Sequence, residues 1–211
     1  MFHTYIIPHI SHICNREEKL CLKERRVYDK INIYKRRYTP MNETMKTLTE
    51  RRSCRSYKTE QIKKEELDAV LTAAIWAPTG MNRQHTRFVA VQDSDTVKKL
   101  SRMNAAVMGS TNDPFYGAPC VVIVFGDADV YTYVEDGSLA MGNMMNAAHS
   151  LGLGSCWIHR AKEMFESEEG KALMAQWGIP EGYKGVGNCI LGYIDNPPAE
   201  RPRIEGRVRI I

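Results

Sequence analysis

Three segments of this 211-residue chain combine residue types that can bind a ligand. Residues 51–57 (RRSCRSY) hold three arginines and two serines. Guanidinium groups are planar, permanently charged donors for phosphate oxygens, and a serine hydroxyl adds a short donor. The segment therefore predicts an anion site, with a solvated basic turn as the alternative. The same charge would favour a thiolate at Cys54, unless that cysteine is packed in the core.

The second segment, residues 76–84 (WAPTGMNRQ), follows an apolar helical pattern and contains the helix breakers Pro78 and Gly80. The side-chain amides of Asn82 and Gln84 both donate and accept hydrogen bonds. Amides of this kind suit the edge of a heterocyclic ring on which acceptors and donors alternate. An ordinary turn is the alternative for these residues.

The third segment, residues 151–158 (LGLGSCWI), contains two glycines two positions apart. Gly152 and Gly154 would let the backbone approach a flat ligand closely, because glycine has no Cβ. The alternative is a helix C-cap that leads into a core strand.

Patterns that mark catalytic side chains or metals are missing from the sequence. It has no G-x-S-x-G, P-loop or H-E-x-x-H sequence, and its histidines and cysteines lack zinc-site spacing. Neither G-x-G sequence has the third glycine of a dinucleotide-binding fingerprint. We therefore predict no catalytic side chain and no metal, and a bound cofactor would carry the chemistry.

Hydrophobic periodicity predicts an α+β fold in which helices cover both faces of a central sheet. A short apolar run rich in β-branched residues, CVVIVF, reads as a buried central strand. The predicted helices span residues 63–76, 95–107, 134–150 and 166–177, and the predicted strands span residues 88–91, 120–125, 155–158 and 187–192.

The positive charge lies at the start of the chain. Residues 1–44 carry nine Lys/Arg and five Asp/Glu, which accounts for the whole formal charge of +4 and leaves residues 45–211 neutral. We therefore expect a folded body that binds no nucleic acid. The 1–44 extension is predicted to be disordered or to result from a misassigned gene start, with a basic arm for RNA or a membrane surface as the alternative. No apolar run is long enough for a membrane helix, so we predict a soluble, cytoplasmic protein without a membrane partner.

Four motifs in order, R-R-S-x-R-x-Y, A-P-T-G-x-N-x-Q, G-L-G-S-C-W-I and L-G-Y with a Pro/Arg-rich tail, resemble the nitroreductase family of flavoproteins over roughly Met45–Arg203. The resemblance implies an FMN-binding domain over residues 45–211. It also implies a central mixed sheet and a homodimer that binds FMN at the subunit interface. The helix over residues 134–150 would be the long dimer helix.

The resemblance also carries roles to individual residues. The phosphate and ribityl region of FMN would meet the basic segment and the tail, and the ring would meet the 78–84 loop. The end of the third segment would lie over ring atom N5, with the backbone N–H of His159 or Arg160 as its donor. The implied cofactor-binding residues are Arg51, Arg52, Ser53, Arg55, Pro78, Thr79, Gly80, Asn82, Gln84, Trp157, Ile158, His159, Arg160, Arg201 and Arg203.

The activity that the resemblance implies is a ping-pong reaction. NADH or NADPH would pass hydride to FMN N5, and an electron-poor small molecule such as a nitroaromatic or quinone would then be reduced. Other redox tasks, such as dehalogenation or flavin conversion, and non-catalytic flavin storage are the alternatives. The chain departs from the family's N-x-Q-P-W pattern at His85 and Thr86, which leaves substrate preference open. The side chains of His159 and Arg160 either point to solvent or add positive charge near the reduced flavin.

Overall fold

The computed structural model describes residues 42–211, and residues 46–211 form one compact unit. The 1–44 extension lies almost wholly outside the described residues and stays a prediction. The helices are α1 Glu43–Glu50, α2 Lys64–Ile75, α3 Ser94–Val107, α4 Tyr133–Ser150, α5 Ala161–Glu166 and α6 Glu168–Gln176. The strands are β1 Thr86–Val91, β2 Cys120–Asp127, β3 Leu153–Ile158 and β4 Tyr183–Tyr193.

The four strands form one sheet in the order β1-β2-β4-β3, and every pair of neighbours is antiparallel. β2 and β4 lie in the middle, as the nearly unbroken burial of both strands requires. The sheet was expected to be mixed, but its named strands are all antiparallel. Parallel pairing occurs in an isolated bridge between Ser53 and Ser155, outside the named strands. β3 is therefore an edge strand of the named sheet, and the basic segment runs along its outer side.

Side chains of β2 alternate between two separate cores. Val121, Ile123 and Phe125 pack under α3, α5 and α6. Cys120 and Val122 point the other way and pack against α2 and α4, including the α4 methionines Met141 and Met144. The prediction of helices on both faces of the sheet is confirmed.

Most predicted elements are observed with ends shifted by a few residues, but one helix is wrong in extent. The expected helix over residues 166–177 is two helices, α5 and α6, which meet at Ser167. Ser167 caps α6 by accepting a hydrogen bond from the Gly170 N–H at 3.1 Å. A side chain on Gly170 would collide with the backbone of Met164 and Phe165, so glycine allows the close turn between the helices. No helix among residues 42–211 is long and apolar enough to cross a membrane.

Candidate functional site

The basic segment is fixed to the outer edge of β3. The Cys54 N–H donates to the Ser155 carbonyl at 2.9 Å, and the Tyr57 hydroxyl donates to the Cys54 carbonyl at 2.9 Å. Cys54 is fully buried, and its side chain fills the space that a Cβ on Gly154 would occupy. Gly154 therefore makes room for Cys54 rather than for a ligand. Cys54 is therefore packed in the core, the alternative given for it in the sequence analysis, and its side chain is not accessible.

Burial also affects the protonation of three other cysteines in the core. Burial raises the pKa of the Cys120 thiol to about 12 and also raises the pKa of the Cys189 and Cys156 thiols. At neutral pH these groups are protonated and act as small apolar side chains.

The arginines of the basic segment present donors that the described residues leave unused. Arg51 Nη1 and Arg52 Nε are buried and have no hydrogen-bond partner among residues 42–211. Arg52 Nη2 pairs with Glu200 Oε1 at 3.2 Å, and the exposed Arg55 stacks over the Tyr116 ring at 5.9 Å. A buried, unpaired guanidinium nitrogen is costly, whereas an oxyanion would satisfy it. The geometry thus fits a phosphate group beside Arg51, Arg52 and the half-buried Ser53.

The C-terminal tail reaches this anion site. Glu200 pairs with Arg52, so the following residues begin beside the basic segment. Arg201 and Arg203 are both exposed, and neither lies in a regular element. The structure therefore brings the start of the tail to the predicted phosphate site.

The 78–84 loop is anchored to the first turns of α4. The Gly80 N–H donates to both carboxylate oxygens of Asp136, at 3.0 and 3.1 Å, and the Thr132 hydroxyl donates to the same carboxylate at 3.0 Å. A Cβ on Gly80 would lie only 2.7 Å from the Thr132 hydroxyl oxygen. Thus Gly80 is held by a buried acid that the sequence analysis did not single out.

Within the loop, the polar side chains are exposed and held by local bonds. The Gln84 N–H donates to the Thr79 hydroxyl at 3.1 Å, and the Gln84 amide donates to Asn82 Oδ1 at 3.0 Å. Met81, Asn82 and Gln84 all have positive φ angles of 51–53°. Non-glycine residues rarely adopt this conformation, and several together are typical of a functional segment. Pro78 is exposed at the start of the loop.

His85, one of the two positions that depart from the family pattern, points into the protein. It is 6% exposed, and its Nε2 lies 3.5 Å from Asp136 Oδ2. Neither ring nitrogen makes a hydrogen bond among the described residues. His85 therefore packs behind the loop, next to the acid that binds the Gly80 N–H.

The end of β3 supplies the third part of the predicted site. Ile158 is buried, whereas His159 is exposed and Arg160 is half-buried. Arg160 is a non-glycine residue with φ of 73° at the start of α5. The Trp157 indole packs on β4, where a Cβ on Gly187 would lie 2.6 Å from its Nε1. Trp157 thus contributes packing under the segment, while the Arg160 N–H at its end has no hydrogen-bond partner among residues 42–211.

The loop and β3, which carries the basic segment on its outer edge, contact α4 at different levels. The loop binds Asp136 near the start of the helix, whereas Ser155, the partner of the basic segment, binds the carbonyl of Met145. Nine helical residues correspond to a rise of roughly 14 Å.

A cavity of about 970 Å³ between α3 and the 110–119 loop is lined by none of the predicted site residues.

Sequence reasoning missed the buried polar residues that support these parts. They are Asn104, Asp136 and Asn188, each no more than 3% exposed. Asn188 interrupts an otherwise apolar strand, GNCILG, and a polar residue in such a run is a usable signal. Asn104 and Asp136 stand in helices of mixed composition, where no local pattern distinguishes them from surface residues.

Comparisons with known proteins identify the family of the chain. The sequence matches the nitroreductase family over residues 48–193. A relative from Archaeoglobus fulgidus, provisionally named an NADH dehydrogenase/NAD(P)H nitroreductase, is 34% identical over 159 residues, which cover 72% of this chain and 86% of the relative. The FMN reductase (NAD(P)H) of Bacillus subtilis is 27% identical over 185 residues, covering 78% of this chain and 71% of the relative.

A solved structure extends the comparison to the fold. The crystal structure of a Bacteroides fragilis nitroreductase with bound FMN has a TM-score of 0.75 and 31% sequence identity, and the alignment covers 81% of this chain and 99% of that one. The family match covers well over half of the chain and includes the basic segment, the loop and β3. The chain therefore belongs to the nitroreductase family.

Proposed function

We propose that this chain is an FMN-dependent oxidoreductase that takes electrons from NADH or NADPH and reduces electron-poor small molecules. The observation that supports it best is the pair of buried guanidinium nitrogens of Arg51 and Arg52 that lack partners beside the edge of β3. In a member of this family, an FMN phosphate is the anion expected at such a site, because its oxygens would satisfy both donors.

The chain's own residues would bind and orient the cofactor. Arg51, Arg52, Ser53 and Arg55 would hold its phosphate and ribityl chain, with Arg201 and Arg203 reaching the same phosphate. The exposed Asn82 and Gln84 amides would hydrogen-bond to the pyrimidine edge of the ring, supported by Thr79 and Gly80. The backbone N–H groups at residues 159 and 160 would donate to the side of the ring that carries N5.

Bound FMN would supply the redox chemistry, accepting a hydride equivalent from the nicotinamide and delivering it to the second substrate. No side chain of this chain is required to act as an acid or base. Its role is to position the reactants and to place cations and N–H donors where negative charge develops. Because nicotinamide and acceptor would use the same exposed face in turn, we propose a ping-pong sequence with nitroaromatics or quinones as acceptors.

We also propose that a second copy of the chain completes each site. The loop and β3, which carries the basic segment on its outer edge, contact α4 at levels roughly 14 Å apart. Large apolar side chains surround the loop and the start of α4 on the outside: Trp76, Met81 and Tyr131 are 77–92% exposed, and Val134 and Leu139 are also exposed. A cluster of this kind is typical of a surface that another subunit covers. We assign the homodimer to the cytoplasm, where NADH and NADPH are available and the buried thiols at Cys54, Cys120, Cys156 and Cys189 remain free.

The test is an absorbance spectrum of purified protein, followed by anaerobic addition of NADH and, separately, NADPH. We expect flavin absorbance bands that bleach when the nicotinamide is added, and colour that returns when a quinone follows. Protein that contains no flavin and takes up no added FMN would refute the proposal. Protein that binds FMN but is not reduced by either nucleotide would instead favour flavin storage or another redox task.

A further inference from the structure

Two fully buried asparagines contact the carbonyl group that precedes Arg160. Asn104, on α3, donates from Nδ2 to the His159 carbonyl at 2.7 Å. Asn188, on β4, donates from Nδ2 to the Ile158 carbonyl at 3.2 Å and reaches the His159 carbonyl at 3.5 Å. Both side chains are 0% exposed. Two elements from different parts of the chain therefore converge on one short stretch of backbone.

The side-chain oxygens of the two amides bear on why asparagine occupies these positions. Neither Asn104 Oδ1 nor Asn188 Oδ1 has a hydrogen-bond partner among residues 42–211. Burying an unpaired amide oxygen costs free energy, and an apolar residue of similar size would fill either position without that cost. Incompletely paired polar groups in a core are uncommon and require a reason. Here each amide directs its donor at a carbonyl at the end of β3, and each also contacts the Met164 sulfur of α5, at 3.1 and 3.6 Å.

Fixing the His159 carbonyl also fixes the next N–H group. The His159–Arg160 peptide is planar and trans, so its C=O and N–H point in opposite directions. Because Asn104 binds the carbonyl from the α3 side, the Arg160 N–H points away from α3. That N–H has no hydrogen-bond partner within the described part of the chain. Arg160 itself has φ of 73°, a conformation that surrounding contacts must impose on a non-glycine residue.

We propose that Asn104 and Asn188 are positioning residues that aim the backbone N–H of Arg160 at N5 of the bound FMN. The inference rests on the proposed function, since it assumes FMN in this site. It selects Arg160 over His159 as the principal donor to N5. Neither asparagine touches the cofactor, and both act through the peptide that they hold.

The test uses FMN labelled with ¹⁵N at N5, because the NMR resonance of that nitrogen moves when it accepts a hydrogen bond. Full-length apoprotein is reconstituted with labelled FMN as wild type, Asn104→Leu and Asn188→Leu. We expect the N5 resonance of each variant to move toward the position of a nitrogen without a hydrogen bond. FMN affinity should fall about fivefold, the effect of one neutral hydrogen bond.

Asn143→Leu is the matched control. Asn143, on α4, also donates from its amide to a backbone carbonyl, that of Ala73 on α2 at 3.1 Å, and makes no hydrogen bond to residues 158–160. Its loss should lower stability against urea while leaving the N5 resonance in place. If Asn104→Leu does not fold, Asn104→Ser serves instead, because a serine is too short to reach the His159 carbonyl.

The outcomes separate the two proposals. Wild-type protein that binds no FMN refutes the proposed function and this inference together. Wild-type protein that binds FMN, with an N5 resonance unchanged in the folded Asn104 and Asn188 variants, refutes only the inference and makes both asparagines purely structural.

Discussion

Arg51 and Arg52 are both charged and partly buried, and this combination is unfavourable in a protein chain that has no ligand bound. Their guanidinium groups stay charged at any physiological pH, and yet one nitrogen of each is buried without a partner among the described residues. Each such nitrogen gives up hydration without gaining a protein hydrogen bond. An oxyanion held between them would reverse that loss, so these two residues should matter much more for binding FMN than for folding.

Arg51→Ala and Arg52→Ala should each weaken FMN binding by about 10- to 150-fold, since a hydrogen bond to a charged group contributes about 1.5–3 kcal/mol. The measurement is quenching of FMN fluorescence during titration with apoprotein. Riboflavin, which lacks the phosphate, should bind wild type and variants with similar affinity. Arg102→Ala, which removes an exposed arginine from α3, is the control and should leave FMN binding unchanged.

Equal losses for FMN and riboflavin would count against a phosphate site at these arginines, because a contact with the ring would then account for both. A second check is ionic strength. Added salt should weaken FMN binding by wild type more than by the variants, since the variants have already lost part of the screened attraction.

Among the elements, the carboxylate of Glu66 links the start of α2 to the end of β4 through hydrogen bonds. Glu66 Oε2 accepts the Lys63 N–H at 2.9 Å and the Tyr193 hydroxyl at 2.7 Å. The hydrogen bond from Tyr193 is the main cause of a lowered pKa of Glu66. The same bond raises the pKa of Tyr193. The ionised form of Glu66 is therefore favoured in the folded protein.

The sign of the pH effect follows from that lowered pKa. The unfolded chain binds a proton at Glu66 more readily than the folded chain, so the contribution of Glu66 to stability is fully present above its unfolded value, near 4.5. It is lost as the pH falls through the lower folded value. Glu66→Gln should cost about 0.5–1 kcal/mol at pH 7, a small effect because the group is largely solvated, and this cost should shrink as the pH falls below 4.5.

Urea unfolding of wild type and Glu66→Gln at several pH values between 7 and 3 measures this difference. Glu65→Gln is the control, because it removes a charge from the same helical turn but breaks neither of the two hydrogen bonds. A difference between wild type and Glu66→Gln that stays constant down to pH 3 would contradict the assignment.

The elements could largely be predicted from the sequence because their signals are local. The apolar face of α2 and the run CVVIVF of β2 each follow from the period of a single segment. The break at Ser167 was missed although its signal, a serine followed by Glu168 and Glu169, was present in the sequence. An apolar period that continues across two consecutive helices conceals the boundary between them.

The supporting residues of the site could not be predicted in the same way. Asp136 meets Gly80 across 56 positions of sequence, and Asn104 meets His159 across 55. No local period or spacing encodes such a contact, because it exists only once the helices have packed on the sheet. The motif residues themselves were identifiable from the order of four short sequences, which required no knowledge of their partners.

At the level of the whole molecule, two copies of the chain would share each FMN site. The 78–84 loop and β3, which carries the basic segment, contact α4 at levels roughly 14 Å apart, and exposed apolar residues lie around the loop. In the proposed homodimer, the loop of one subunit would face the basic segment of the other. Each FMN would then be bound by residues from both chains.

Mixed dimers test this arrangement directly. One subunit carries Arg51→Ala with Arg52→Ala, the other carries Asn82→Ala, and two different affinity tags allow the mixed dimer to be purified. If each site uses arginines from one subunit and Asn82 from the other, the mixed dimer contains one site with all changes and one site with none. It should then bind about half as much FMN as wild type, with wild-type affinity, whereas both parent homodimers bind weakly.

If each site is instead built within one subunit, both sites of the mixed dimer are defective and tight binding does not return. A mixed dimer of two wild-type subunits with the same tags controls for the purification, and should bind a full complement of FMN. Failure to form any dimer would contradict the proposed assembly itself. Because binding stoichiometry and affinity are read separately, a uniform partial loss of affinity at both sites is distinguishable from one restored site.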